Sequence, residues 1–320
     1  MSSTAETWTR RQLLTGAAAG LVSATAARAA DPKRRLPICA FSKHFQWTHP
    51  EDAIEIIASL GYDGVDLTVR PRGHVEPQRV ADELPRFVES IRKAGLAVPM
   101  ITSGIRDMET PYAEKVIETI AGLGIRHYRW GGFRYDADRP IPEQLAEIKP
   151  RIRELAAVNE QYGVCAMYHT HSGENQVGAS FWDLYGLLKD SDPDAVSVNF
   201  DVGHATIEGG LGGWVHSTRL LLPFTRGVAV KDFIWEKNAE GRWERRWRPL
   251  GEGMVDFGRF FGMLKAAAFS GPLQLHMEYH ELGGADRGRS ELTAPRERVL
   301  ELMRRDVDVL KRMLRDAELA

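Results

Sequence analysis

The chain holds only two cysteines, Cys39 and Cys165, in 320 residues, so no disulfide framework can hold it together. It has almost no net charge: 42 basic residues stand against 44 acidic ones, leaving −2. That balance gives no basic surplus of the kind nucleic-acid binding needs, and no such partner is expected. Long hydrophobic runs are missing as well. The most apolar early stretch, residues 15–22, is short and rich in small side chains, too weak to span a bilayer. No G-x-G-x-x-G follows the first strand-like segment, which weakens a dinucleotide-binding reading. No interior linker or low-complexity tract marks a second domain. What remains, 43% hydrophobic and 27% charged, is the composition of a soluble globular protein.

Residues 1–30 read as a leader. Arg10-Arg11 is followed by Leu13-Leu14, a mildly apolar small-residue segment, and an A-x-A cleavage pattern at Ala27-Arg28-Ala29. The arginine pair points to the twin-arginine (Tat) route, so the mature chain is expected to be periplasmic or secreted.

From residue 36 onward, short apolar runs alternate with amphipathic stretches. Strands are predicted at 36–41, 64–68, 97–102, 127–130, 164–168, 196–200, 228–231 and 273–277. Helices are predicted near 50–60, 78–94, 110–123, 142–162, 180–189, 213–222, 255–268 and 295–317. Ala53, Ile54, Ile56, Ile57 and Leu60 show the helical spacing of one apolar face. Glycine closes helix after helix, as in Leu60-Gly61 and Tyr162-Gly163, and a strand follows each time. Eight βα units in one chain predict a single α/β domain over residues 31–320, a (β/α)8 TIM barrel. Cys39 and Cys165 fall on its first and fifth strands, on opposite sides, and are expected to be free core residues. A loop near residues 236–253, carrying Trp243 and Trp247 and preceded by Trp235, is expected to lie over one mouth.

Active sites of such barrels sit at the C-terminal strand ends. Here those ends carry Ser42-Lys43-His44, Asp66 with Arg70 and His74, Ser103, Arg129-Trp130, His169-Thr170-His171, Asp201 with His204, Lys231-Asp232, and Glu278 with His280. Histidines and carboxylates outnumber the residues of a merely solvated rim. His169, Asp201 and Glu278 come from different strands and would converge on the axis. A mixed imidazole–carboxylate set suits one divalent ion, Mn²⁺, Zn²⁺, Co²⁺ or Fe²⁺.

Four segments carry a resemblance. Asn199-Phe200-Asp201-Val202-Gly203-His204 is similar to the D-x-G-H segment of the sugar phosphate isomerase/epimerase (xylose-isomerase-like) superfamily, and Val230-Lys231-Asp232-Phe233 to its H-x-K-D segment. His276-Met277-Glu278-Tyr279 resembles its glutamate-bearing last strand, and Tyr168-His169-Thr170-His171 the segment after its fifth strand. The resemblance implies a metal held from strands five to eight by Glu, Asp, His and Glu. Carried over, Asp201 and Glu278 are ligands, His169 replaces the first glutamate, and Ala229 stands where the imidazole is missing. His171 or His276 could compensate. The implied reaction is proton abstraction beside the carbonyl of a sugar-like hydroxy-ketone, through an enediolate, as in isomerases and epimerases.

In that reaction Glu278 is the expected base, His169 a ligand or second acid/base, and Lys231 the partner of the enediolate oxygen. His44, Arg70, Arg129, Trp130 and His204 are the expected substrate-binding residues, with Trp182 as a further stacking surface. His204 is expected either to bond substrate or to support the ligands. A lyase acting on an oxidised glycoside would use the same chemistry. A metal-dependent hydrolase and a non-catalytic carbohydrate-binding protein, the latter favoured by Ala229, are the remaining readings. The expected partner is a small carbohydrate, and homo-oligomerisation is left open.

Overall fold

The computed structural model describes residues 35–320. The expected leader, with Arg10-Arg11 and Ala27-Arg28-Ala29, lies outside the described residues.

Eight parallel strands close into a barrel: β1 (Ile38–Phe41), β2 (Gly64–Val69), β3 (Ala97–Ser103), β4 (His127–Trp130), β5 (Cys165–His169), β6 (Val196–Asp201), β7 (Thr225–Val230) and, after a hairpin, β10 (Leu273–Leu275). β1 pairs with β2 and β10, which completes the ring. The hairpin is antiparallel, β8 (Asp232–Lys237) against β9 (Trp243–Arg248), and it occupies the segment expected to be a loop over the mouth. The helices are α1 (Pro50–Leu60), α2 (Val80–Lys93), α3 (Ala113–Gly122), α4 (Ile141–Tyr162), α5 (Trp182–Leu188), α6 (Val202–Gly209), α7 (Gly213–Leu221), α8 (Phe257–Ala266) and α9 (Arg296–Asp316).

Helix α1 shows why the segments fold as they do. Pro50 opens it, Glu51 and Asp52 sit in its first turn, and Ala53, Ile54, Ile56, Ile57 and Leu60 are buried. Proline costs nothing at a position whose N–H has no intrahelical acceptor, and early acidic residues suit the helix dipole. Gly61, with φ 84°, closes the last turn by donating its N–H to Ala58 O.

Along each strand, side chains alternate between the helix layer and the lumen. On β6, Phe200 faces outward and stacks on Phe260 of α8 at 5.8 Å. Its neighbour Asn199 faces inward and reaches Gln274 of β10, two strands away, at 2.6 Å. On β4, Tyr128 points outward and bonds Asn159 of α4 at 2.8 Å. The lumen floor is apolar, with Met100, Cys165 and Met167 clustering there. Above it the lining turns polar: Asp66, Thr102, His169, Asn199, Asp201, Gln274 and His276 are all buried. Cys39 and Cys165 are free and buried.

Candidate active site at the barrel mouth

The strand β6 runs directly into α6, a helix of eight residues absent from the sequence expectations. Asp201 is its N-cap, and Oδ1 accepts the N–H of His204 at 2.9 Å. Thr170 fixes the same turn by accepting the Asp201 N–H at 2.9 Å. With Oδ1 committed to the helix, Oδ2 is left to face the lumen. Gly203 is required by close approach: a Cβ there would lie 2.8 Å from Cγ and 3.0 Å from O of Lys231. The Asp-Val-Gly-His run is therefore a cap, a clearance and a polar arm in successive positions.

Lys231 is the hub. Its side chain is buried, and Nζ lies 2.7 Å from His204 Nε2, 3.2 Å from Glu278 Oε2 and 3.1 Å from Asp201 Oδ2. The Trp247 ring from β9 covers the ammonium at 4.4 Å, a cation–π contact that also shields it from water. Because Lys231 donates to Nε2, the neutral His204 ring carries its proton on Nδ1 and gives it to Ser172 Oγ at 2.7 Å. Burial, and then the ammonium beside it, holds the His204 pKa well below the usual value. Burial alone would raise the Glu278 carboxyl, but Lys231 and Lys43 outweigh it and hold that carboxyl well below the usual range. Lys43 Nζ stands 3.7 Å from Glu278 Oε1. Asp201 meets the same ammonium, but burial outweighs that attraction and pushes its pKa up to about 6.

Beside this hub lies a second group. His169, Asp201 and His276 each present an atom within 4.8 Å of the others, and all three are buried. His169 Nε2 is 3.6 Å from Asp201 Oδ2. Neither ring nitrogen of His276 has a hydrogen-bond partner among the described residues. The same is true of Asp201 Oδ2, because the ammonium approaches it off the hydrogen-bonding direction. Three orphaned polar atoms in one buried spot are costly unless something binds there. Burial keeps the His169 and His276 imidazoles neutral, the state that coordinates a cation. This donor set fits a single divalent ion. Two imidazoles and one carboxylate suit Mn²⁺, Fe²⁺, Co²⁺ or Zn²⁺ better than Mg²⁺, which prefers oxygen. Asn199 Nδ2 contacts both His169 Nδ1, at 3.2 Å, and Gln274 Oε1. Turning both amides over keeps the two contacts and reverses their polarity. In that orientation, which a bound cation would require, His169 Nδ1–H donates to Asn199 and its Nε2 lone pair is free for the cluster.

The structure gathers His169 and Asp201 with His276 rather than with Glu278, whose oxygens face Lys231 and Lys43. Ala229 pairs with Asp201 and Gln274 in the sheet and is fully buried, so its methyl offers no donor. Three expected substrate contacts are corrected. His44 is fully buried, and its ring spans Ala285 O at 3.1 Å and the Met277 N–H at 3.1 Å, which pins the end of β10. Trp130 points into the helix layer, edge-on to Tyr168 at 5.0 Å, because the strand's alternation turns it away from the lumen. His204 has both ring nitrogens engaged and positions Lys231. Trp182 is exposed on a separate groove with Tyr135 and His216.

Arg70 and Arg129 remain at the site. Arg129 Nη2 reaches His171 Nε2 at 3.3 Å, and Arg70 lies over Phe41 at 5.8 Å. Asp66 is a further member whose weight the sequence did not reveal. It is fully buried with Thr102 Oγ1 2.9 Å from each oxygen, and burial pushes its pKa up to about 7. Above these groups a cavity of about 620 Å³ opens between Lys43, Arg245, Trp247, Glu278 and Arg287.

Three solved structures share this architecture at low identity. A xylose isomerase-like TIM barrel protein from Mycobacterium smegmatis, in complex with magnesium, is 18% identical with a TM-score of 0.65, covering 89% of this chain and 98% of that one. D-psicose 3-epimerase from Clostridium cellulolyticum, solved with D-tagatose, is 13% identical with a TM-score of 0.64, covering 87% and 99%. The 3-keto-D-glucoside 4-epimerase of E. coli is 16% identical with a TM-score of 0.63, covering 87% and 100%. No curated protein matches the chain. A family model described as the xylose isomerase-like TIM barrel matches residues 54–313, and the chain belongs to that family.

Proposed function

We propose that the protein is an isomerase or epimerase that moves a proton at the carbon beside the carbonyl of a sugar-like hydroxy-ketone. The observation that carries this reading is the hub itself: one ammonium shared by Asp201 and Glu278, next to the His169–Asp201–His276 donor group. Two neighbours in fold that are sugar epimerases support the substrate class.

His169, Asp201 and His276 would hold a divalent ion, which would supply Lewis-acid polarisation at the carbonyl oxygen. The chain's own residues do the rest. Glu278 is ionised at neutral pH and accepts the proton. Lys231 holds the charge that develops on the substrate oxygen, and each N–H it turns to that oxygen is withdrawn from Glu278. The carboxylate becomes more basic as the enediolate forms, which ties the two events together. Trp247 and His204 keep the ammonium in place, and the ring excludes water from one side. Asp66, poised near neutrality, suits proton return. The leader-like pattern of residues 1–30, with its arginine pair, supports a periplasmic or secreted location for this activity.

The test is solvent exchange. From a panel of neutral ketoses, ketose phosphates, keto-sugar acids and 3-keto-glycosides incubated with Mn²⁺-loaded protein in D₂O, at least one is expected to gain a deuterium beside the carbonyl, with an epimer or isomer of unchanged skeleton. Glu278→Gln should abolish exchange without loss of fold. A product lacking its aglycone or a water would assign the protein as a lyase, and no exchange with any member of the panel would refute proton transfer.

A further inference from the structure

Four cations, Lys43, Arg70, Arg129 and Lys231, gather at the C-terminal ends of β1, β2, β4 and β7, and among the described residues three carboxylates, Asp66, Asp201 and Glu278, face them. The carboxylates are already engaged. Glu278 takes Lys231 and Lys43, Asp201 takes Lys231, and Asp66 takes the Thr102 hydroxyl. The two guanidiniums have no such partner. Among the described residues neither Arg70 nor Arg129 lies within 4.0 Å of a carboxylate, whereas Arg246 and Arg287 at the mouth are each salt-bridged. Arg129 makes one bond, at 3.3 Å, to a neutral imidazole. Arg70 makes none to a side chain and rests on the Phe41 ring. Both keep partial access to solvent.

Two partly desolvated guanidiniums that share only Asp66 as a nearby unpaired carboxylate, itself pushed by burial toward its neutral form, are left short of negative charge. A fold keeps such a pair where a ligand supplies the negative charge. Guanidinium is the side chain best shaped for it, since its planar fork of N–H donors matches a carboxylate or phosphate in paired hydrogen bonds. We infer that Arg70 and Arg129 form a receptor for an anionic group on the substrate, so that the sugar turned over is an acid or a phosphate ester rather than a neutral ketose. This rests on the epimerase reading for its substrate skeleton, but the receptor itself is independent of turnover. The polar stretch from the mouth cavity, with Arg245, Lys43 and Arg287 on its rim, gives an anion a favourable approach.

The test is calorimetric titration of the full chain with D-glycerate, inorganic phosphate and, as the neutral control, glycerol. At least one anion is expected to bind, at least tenfold more tightly than glycerol, with an affinity that falls as salt rises. D-Glycerate preferred over phosphate identifies a sugar acid, and the reverse identifies a phosphate ester. Arg129→Met should lower anion affinity roughly 10- to 100-fold, the loss of charge-assisted hydrogen bonds, and Arg129→Lys should restore part of it. Because no carboxylate is paired with Arg129, the Arg129→Met protein should melt no lower than wild type. Failure of both anions to bind, or an affinity unchanged in Arg129→Met, overturns the receptor. Anion binding without proton exchange on any keto-sugar acid, ketose phosphate or neutral ketose would leave the receptor standing and refute the epimerase reading.

Discussion

His276 stacks on Phe41 at 4.5 Å with both ring nitrogens unpaired, and its burial makes that arrangement expensive. Two residues later Glu278 is in the opposite condition, with a cation on each oxygen. Coordination is thus assigned to the imidazole and charge pairing to the carboxylate. Metal affinity of single variants should separate the two roles. His276→Ala removes one of three donors and is expected to weaken Mn²⁺ binding by roughly 100-fold or more, comparable to or above the cost of losing a supporting ligand contact. Glu278→Gln should weaken it much less. Lys231→Met removes a positive charge 3.1 Å from a ligand oxygen, and binding should tighten at least tenfold while activity is lost. If Glu278→Gln strips the ion and His276→Ala keeps it, the donor set has to be redrawn around the carboxylate.

The elements that position these side chains were unevenly legible. The barrel strands are readable because their outward residues are apolar, and for β2, β3, β4, β5 and β10 a glycine after the preceding helix (Gly61, Gly95, Gly124, Gly163, Gly271) also marks the start. Helix α6 was not readable, because eight residues containing Gly203 and Gly209 show no apolar face of useful length. The hairpin was visible only as a tryptophan-rich insertion, since WERRWR is polar and exposed and carries little strand signal. Its anchor is Asp232. One carboxylate oxygen accepts the N–H groups of Phe233 and Val255, at 2.9 and 3.2 Å, and the other those of Gly251 and Gly253, at 3.0 and 2.9 Å. Gly253 has no substitute there, as a Cβ would lie 2.0 Å from the carboxylate. Asp232→Ala leaves four amides unpaired and is expected to cost about 3 kcal/mol in urea unfolding. Amide exchange should accelerate at Gly251, Gly253 and Val255, and kcat should fall because Trp247 no longer holds Lys231. Unchanged exchange at those amides would mean the loop is held by its own turn.

Over the whole molecule, the barrel could be read from the repeat of its units, and the polar lumen from its strand ends, but the pairing of charges inside could not. Direction and distance decide whether Arg129 meets a carboxylate and whether His44 meets substrate or backbone, and neither is written in spacing along the chain. The same burial sets the response to acid. Seven histidines, His44, His74, His127, His169, His171, His204 and His276, have pKa values lowered by burial, to about 3 for His44 and His171 and about 4 for His74. Four aspartates are raised by burial: Asp66 to about 7, Asp201 and Asp306 to about 6, and Asp232. Between pH 4.5 and 6 the unfolded chain protonates the seven imidazoles while the fold does not, so each favours unfolding as pH falls. The aspartates act in the opposite sense, because the fold keeps protons the unfolded chain has lost. The histidines prevail by about three protons, a slope on the order of 2–4 kcal/mol per pH unit in metal-free protein. Stability should therefore fall steeply below about pH 6.5 and level off above about pH 7, where the unfolded imidazoles have lost their protons. His44→Gln retains a donor and an acceptor for Ala285 and Met277 but cannot titrate, and it should reduce the acid slope by about 1 kcal/mol per pH unit. Guanidinium titrations from pH 4.5 to 7 read both quantities, and a flat profile would show that the imidazoles are not held neutral by the fold.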